Sequence, residues 1–272
     1  MNHTSAPPSI PGESAHRCAV ARLALSCLDL TSLNTADTEA DIAALCARAQ
    51  SRFGPVAAVC VWPRLASFAR QQLPGQIAVA AVANFPDGSG DVQRAVRDAG
   101  EIVQSGAQEV DLVLPYAQLL DGDVSGVARL LAAVRKASEG LTLKVILETG
   151  VLVQEAHILL ASRMGLDAGA DFLKTSTGKT PVSATPEAAR TMLGAIAAHA
   201  EASMRVGFKP SGGIRTVADA ALYIALTEEI LGSAALNAQR FRIGASGILT
   251  DIESVLSGDG AAVAATGSGS VY

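Results

Sequence analysis

A chain of 272 residues with 49% hydrophobic but only 4% aromatic content can bury a sizeable core, and that core must be built from Ala, Val, Leu and Ile, as where helices pack closely on a parallel sheet. A formal net charge of −5, without basic runs, argues against nucleic acid or an anionic membrane as a partner. No run approaches the roughly 20 apolar residues of a membrane helix. Cys18, Cys27, Cys46 and Cys60 form no CxxC pair, so reduced thiols and a cytoplasmic location are expected.

In chain order, residues 1–17 are polar and contain prolines, without the basic start and apolar core of a secretory signal, and are expected to be a disordered tail. Short β-like runs then appear at Ala24–Leu30, Val56–Trp62, Ile77–Asn84, Glu109–Pro115, Leu141–Glu148, Ala170–Ser176, Val206–Lys209 and Phe241–Ala245. Helical periodicity lies between them, for example at 41–51, 91–105, 123–138, 185–200 and 216–231. Thr185 and Thr216 stand where N-caps belong, with Pro186 at a first helical position. Eight strands alternating with helices, and no linker to divide them, predict an α/β fold with a single (β/α)8 TIM barrel over residues 18–256. The Gly/Ser/Ala-rich residues 257–272 are expected to be a flexible tail.

In such a barrel the chemistry sits at the C-terminal ends of the strands, and the unusual polar residues fall there: Asp29, Asn84, Asp111, Lys174 and Lys209. Lys174 follows the apolar run Ala170–Leu173, and Lys209 closes a second one. Either lysine alone reads first as a solvated cation at a strand end; the pair changes that reading. A lysine nucleophile must be brought from a pKa of about 10.4 toward neutrality by desolvation or a neighbouring cation, and each of these lysines gives the other that neighbour. Asp111, a carboxylate within an apolar strand, must face a cation, a water or a ligand, either to neutralise a lysine or to move protons as a general acid/base. Gly212 and Gly213 after strand seven, and Gly244, Ser246 and Gly247 after strand eight, with Arg215 nearby, occupy the usual phosphate-binding position of a barrel. His3, His16, His157 and His199 form no ligand-like cluster, so no metal is expected. Cys60 reads as core packing in strand two rather than as a reactive thiol.

The motifs LDLTSLN (28–34), VCVWPR (59–64), VANFPDG (82–88), GAQEVDLVLPY (106–116), LKVILETG (143–150), GADFLKTSTGK (169–179), GFKPSGGIR (207–215) and FRIGASG (241–247) resemble, in order and over nearly the whole chain, the deoxyribose-phosphate aldolase family of class I aldolases. The resemblance implies cofactor-free, reversible cleavage of 2-deoxy-D-ribose 5-phosphate to D-glyceraldehyde 3-phosphate and acetaldehyde, in deoxyribose phosphate catabolism. It implies that Lys174 forms the Schiff base, that Lys209 lowers its pKa and that Asp111 shuttles protons with a water. It places Asp29 and Thr31 on the substrate-binding rim, and Gly178, Lys179, Gly212, Gly213, Gly244 and Ser246 in the phosphate pocket. It implies a homodimer, and a terminal Tyr272 that folds over the site as a proton relay. Gly247 stands where the family often has a second serine, which removes one hydroxyl from the phosphate. Two rival readings are a pyridoxal-phosphate enzyme, which needs a partner for the pyridinium nitrogen, and a non-catalytic barrel that senses sugar phosphate.

Overall fold

The computed structural model describes residues 11–258. Eight parallel strands alternate with helices: β1 (Leu28–Thr31), β2 (Ala58–Val61), β3 (Ala78–Ala83), β4 (Glu109–Val113), β5 (Thr142–Ile146), β6 (Phe172–Lys174), β7 (Gly207–Lys209) and β8 (Ile243–Ala245). From β1 to β7 each strand pairs with the next in sequence, and β1 also pairs with β8. Parallel bridges from Phe208 to Phe241 and from Ser211 to Gly244 draw β7 to β8 and close the barrel.

The helices that form the outer ring are α2 (Glu39–Arg48), α3 (Pro63–Gln72), α4 (Val92–Gln104), α5 (Val124–Ala137), α6 (Glu155–Asp167), α7 (Pro186–Ala198), α8 (Val217–Leu231) and α9 (Ile248–Ser257). Their starts are fixed locally. The Thr185 side chain accepts from the Ala188 amide, with Pro186 at the first helical position, and Thr216 forms a reciprocal capping box with Asp219. No helix among the described residues is long and apolar enough to cross a membrane.

A further helix, α1 (Pro11–Ser26), precedes the barrel. It corrects two expectations. Residues 11–17 are helical rather than part of a disordered tail, and the run from Ala24 is the end of this helix, so β1 starts only at Leu28. Val20, Ala21, Ala24 and Leu25 are buried at the spacing of one helical face, which packs on α8 and α9; tertiary packing decides the assignment of this apolar stretch. Residues 1–10 and 259–272, and with them Tyr272, lie outside the described residues.

Register carries the fold into the site. Asp111 pairs with Lys144, Lys174 with Lys209, and Asp29 with Gly244. Side chains alternate between the two faces of a strand, so Glu109 points inward with Asp111, and Arg242 with Gly244. The main core lies between sheet and helices. A smaller apolar cluster of Leu33, Cys60, Val82, Phe85 and Ile146, bordered by Trp62 and Tyr116, lies inside the barrel.

Candidate active site

Inside the barrel the predicted residues meet, and they have company. Asp111 is fully buried; its Oδ2 accepts from Lys174 Nζ at 2.8 Å and from Lys209 Nζ at 2.7 Å, and its Oδ1 accepts from Lys144 Nζ at 2.8 Å. Lys209 also donates to Asp29 at 2.5 Å. Lys144 contacts Glu109 at 2.5 Å and Asp29 at 3.2 Å. Arg242 grips Glu109 at 2.7 and 3.2 Å and Asp29 at 2.6 Å.

Four cations, Lys144, Lys174, Lys209 and Arg242, thus share three carboxylates, Asp29, Glu109 and Asp111. All seven are buried, and an uncompensated charge in such surroundings is costly. One cation must therefore give up its proton. Among the described residues Lys144 has three carboxylate partners, Lys209 and Arg242 two each, and Lys174 only Asp111, through an oxygen that it shares with Lys209. Lys174 is the one least held in its charged form.

The electrostatic balance agrees residue by residue. For Lys174 burial is the largest effect and lowers its pKa; Asp111 opposes, and the Lys209 ammonium adds to the lowering. For Lys144 and Lys209 burial also acts downward, but Asp111 and Asp29, joined by Glu109 in the case of Lys144, outweigh it and hold both above the ordinary lysine value. Burial would raise Asp111 and Asp29, yet their cations hold both well below the usual carboxylate range. Cys60 lies 3.9 Å from Asp111 Oδ2, and burial, then Asp111, push its thiol up to about 11. It is a protonated packing group of the inner apolar cluster.

Above this floor opens a cavity of about 510 Å³ lined by Thr31, Gly178, Lys179, Gly212, Gly213, Gly244 and Ser246, together with Thr177, Arg215 and Gly247. It contains all six residues expected to hold phosphate. The N-terminus of α9 begins directly after Ser246 and Gly247, so unpaired helical amides border the cavity. A β-carbon at Gly244 would lie 2.5 Å from Ser211 Oγ and 3.1 Å from Lys209 Cε, so glycine there lets the strand pass close to the lysine. Asp29 does not line this cavity. It lies beneath it, fully buried, as an anion of the cluster rather than a residue of the rim, because its register with Gly244 turns it into the barrel.

A buried carboxylate outside the cluster, Glu148, holds the loop after β6. It accepts from Thr177 Oγ1 at 2.5 Å and from Thr180 Oγ1 at 3.2 Å, and Lys179 Nζ donates across the cavity to the Leu33 carbonyl at 2.8 Å. Asn84 donates to the Ser89 and Val113 carbonyls and braces its loop. A larger hollow, about 770 Å³, lies between α6 and α7, lined by Val153, Val182, Glu187 and Arg190; no lysine borders it.

Sequence reasoning did not single out Lys144, Glu109 or Arg242. The signal for Lys144 was the one that marked Asp111, a charged residue inside an apolar strand, in LKVIL. Glu109 and Arg242 stand at strand starts, where charged residues are usually solvated, and only the inward phase of the barrel strands distinguishes them.

The chain is similar to known proteins over most of its length. Residues 23–250 match the model of the DeoC/LacD family of aldolases. A deoxyribose-phosphate aldolase of Agrobacterium fabrum is 48% identical over 250 residues, 91% of this chain and 95% of the relative. Among solved structures, a provisionally named deoxyribose-phosphate aldolase of Coccidioides immitis superposes with a TM-score of 0.74 at 33% identity, over 86% of this chain and 87% of the other. The deoxyribose phosphate aldolase of Aeropyrum pernix, described as a tetramer, superposes with a TM-score of 0.68 at 25% identity, over 91% and 98%. A buried lysine with a lowered pKa on the charged floor, a cavity above it lined by backbone amides, hydroxyls, Lys179 and Arg215, and a family match across the barrel agree: the chain belongs to the DeoC/LacD family of aldolases.

Proposed function

We propose that the chain is a class I aldolase that reversibly cleaves 2-deoxy-D-ribose 5-phosphate to D-glyceraldehyde 3-phosphate and acetaldehyde through an imine on Lys174. The observation that carries this reading is the sharing of one Asp111 oxygen by Lys174 and Lys209, in a buried set with one more cation than carboxylates.

Neutral Lys174 attacks C1 of the open-chain aldehyde to give a carbinolamine, which loses water to become an iminium. The iminium accepts the electron pair of the breaking C2–C3 bond, so an enamine forms in place of a bare carbanion. Asp111, through a water, takes the proton of the C3 hydroxyl and returns one to the enamine carbon, and water then hydrolyses the resulting iminium to release acetaldehyde and free Lys174. A carboxylate with three cationic partners is a weak base, so it holds that proton only in passing. Lys209 stays charged between Asp29 and Asp111 and keeps Lys174 unprotonated. Lys179, Gly178, Gly212, Gly213, Gly244 and Ser246 receive the phosphate with the amides at the start of α9, and an amide at Gly247 replaces the absent hydroxyl. Thr31 completes the rim, while Asp29 acts from below through Lys209. The imine supplies the electron sink, so the reaction needs no cofactor.

The barrel of residues 18–256 with α1 seated on it acts as one catalytic unit, in the cytoplasm, as a homodimer; sedimentation tests the last point against the tetramer described for the Aeropyrum pernix relative. Against a pyridoxal-phosphate enzyme stands the cluster itself, in which each carboxylate is engaged by cations of the chain. Against a sensor stands the unprotonated lysine, which phosphate binding does not require. The chemistry is tested by incubating the protein with acetaldehyde in heavy water and following the methyl protons by NMR. Enamine formation exchanges them for deuterium, and methyl protons that persist at the uncatalysed rate would contradict the mechanism.

A further inference from the structure

Arg242 is the one cation of the cluster that approaches neither Asp111 nor Lys174. It enters from the opposite end of the barrel. Its guanidinium donates to Glu109, to Asp29 and to the Ala238 carbonyl, and the Phe172 ring packs against it, 5.5 Å from centroid to Cζ. Outside it, at the N-terminal ends of the strands, begins a hollow of about 430 Å³ that reaches Arg22, Pro55 and Gln76. Arg242 thus separates the charged floor from that end of the barrel while occupying Glu109 and one oxygen of Asp29.

We infer that Arg242 is a positioning residue of the aldol reaction: by engaging Glu109 and Asp29 it supplies the surplus cation of the buried set, so that, among the described residues, Asp111 is the only carboxylate paired with Lys174. This rests on the reading of Lys174 as the imine-forming lysine. The groups that face Lys174 are Asp111 on β4, Lys209 on β7 and Cys60 on β2, with Lys144 on β5 and Asp29 on β1 one layer further, beyond Asp111 and Lys209. None of them changes when Arg242 does, but their balance does. Without Arg242 three carboxylates face three lysines, and the set is neutral only when Lys174 is protonated. Without the Glu109 charge two carboxylates face four cations, and Lys174 is driven further toward the neutral form.

The consequence is a pair of opposite shifts, which loss of packing does not produce. The assay is the pH dependence of imine trapping: acetaldehyde, borohydride, and the mass of the reduced full-length protein. Arg242→Met, which keeps the side chain's length, is expected to move the acid limb of trapping up by about one pH unit, and Glu109→Gln to move it down by a similar amount. The double variant, which removes one charge of each sign, is expected to return it to the wild-type position. Limbs that stay in place, or that move the same way in both single variants, would overturn the inference. If Arg242→Met does not fold, Glu109→Gln decides alone, and a limb that is unmoved or raised overturns it. A wild-type protein that traps no adduct at any pH removes the Schiff-base reading itself, and the inference with it.

Discussion

Replacing Lys209 by leucine tests how the floor of the barrel works. The two lysine nitrogens lie 2.8 and 2.7 Å from the same Asp111 oxygen. They are therefore no more than about 5.5 Å apart, and two unit charges at about 5 Å repel by about 3 kcal/mol at an effective dielectric constant near 20. Lys209→Leu removes that repulsion. It also leaves three cations for three carboxylates, a set that is balanced with Lys174 protonated. The acid limb of turnover should rise by about 2 pH units, and kcat/KM near neutrality should fall about a hundredfold. Activity should recover as the pH is raised. The assay is a coupled measurement of glyceraldehyde 3-phosphate release across pH, with folding followed by circular dichroism. A folded variant whose pH profile keeps its wild-type position would refute the reasoning.

The other predictions address the remaining parts. Lys144→Met leaves three buried carboxylates short of a partner and should cost about 3–5 kcal/mol, read as a fall in Tm of about 10 °C; an unchanged Tm would contradict it. Gly212 has φ +83°, and a β-carbon there would lie 2.5 Å from Ser183 Oγ. Gly212→Ala should therefore displace the glycine loop after β7 and, on the proposed phosphate role, raise KM for the sugar phosphate about tenfold with little change in kcat, whereas a loss confined to kcat would contradict it. Asp29 and Asp111, held below the free value of 3.8, contribute stability that is complete above that value and lost as the pH falls through their folded-state values. Lys144 and Lys209, held above 10.5, contribute stability that is complete below 10.5 and lost as the pH rises through theirs. Lys174, lowered, acts in the opposite sense, and the cost of its neutral state shrinks toward 10.5. Urea titrations at intervals across pH should show stability lost below 3.8, and stability rising steadily as the pH drops below that value would count against the cluster.

Much of this was legible in the sequence for a physical reason. Parallel strands buried on both faces read as short apolar runs, so a charged residue at the end of one, as at Lys174 and Lys209, or inside one, as at Asp111, stands out. The cavity above the floor was legible because glycines after strands seven and eight mark the places where backbone can approach closely. The first helix was misread because an alanine-rich amphipathic stretch next to polar residues resembles both a tail and a strand, and only its seating on α8 and α9 decides. Glu109 and Arg242 were missed because two strand starts far apart in the chain pair only when the barrel closes. Lys144 was missed although its context in LKVIL is as apolar as that of Asp111; its need for three carboxylates is a property of the assembled floor.

The most direct measurement is the site of the imine. Incubation with acetaldehyde, reduction with borohydride and peptide mass mapping should find one ethylated residue, Lys174, and no adduct in Lys174→Met. Ethylation at Lys209 or Lys144 instead, or none on a protein that still binds the sugar phosphate, would contradict the assignment of Lys174 as the neutral lysine of the cluster.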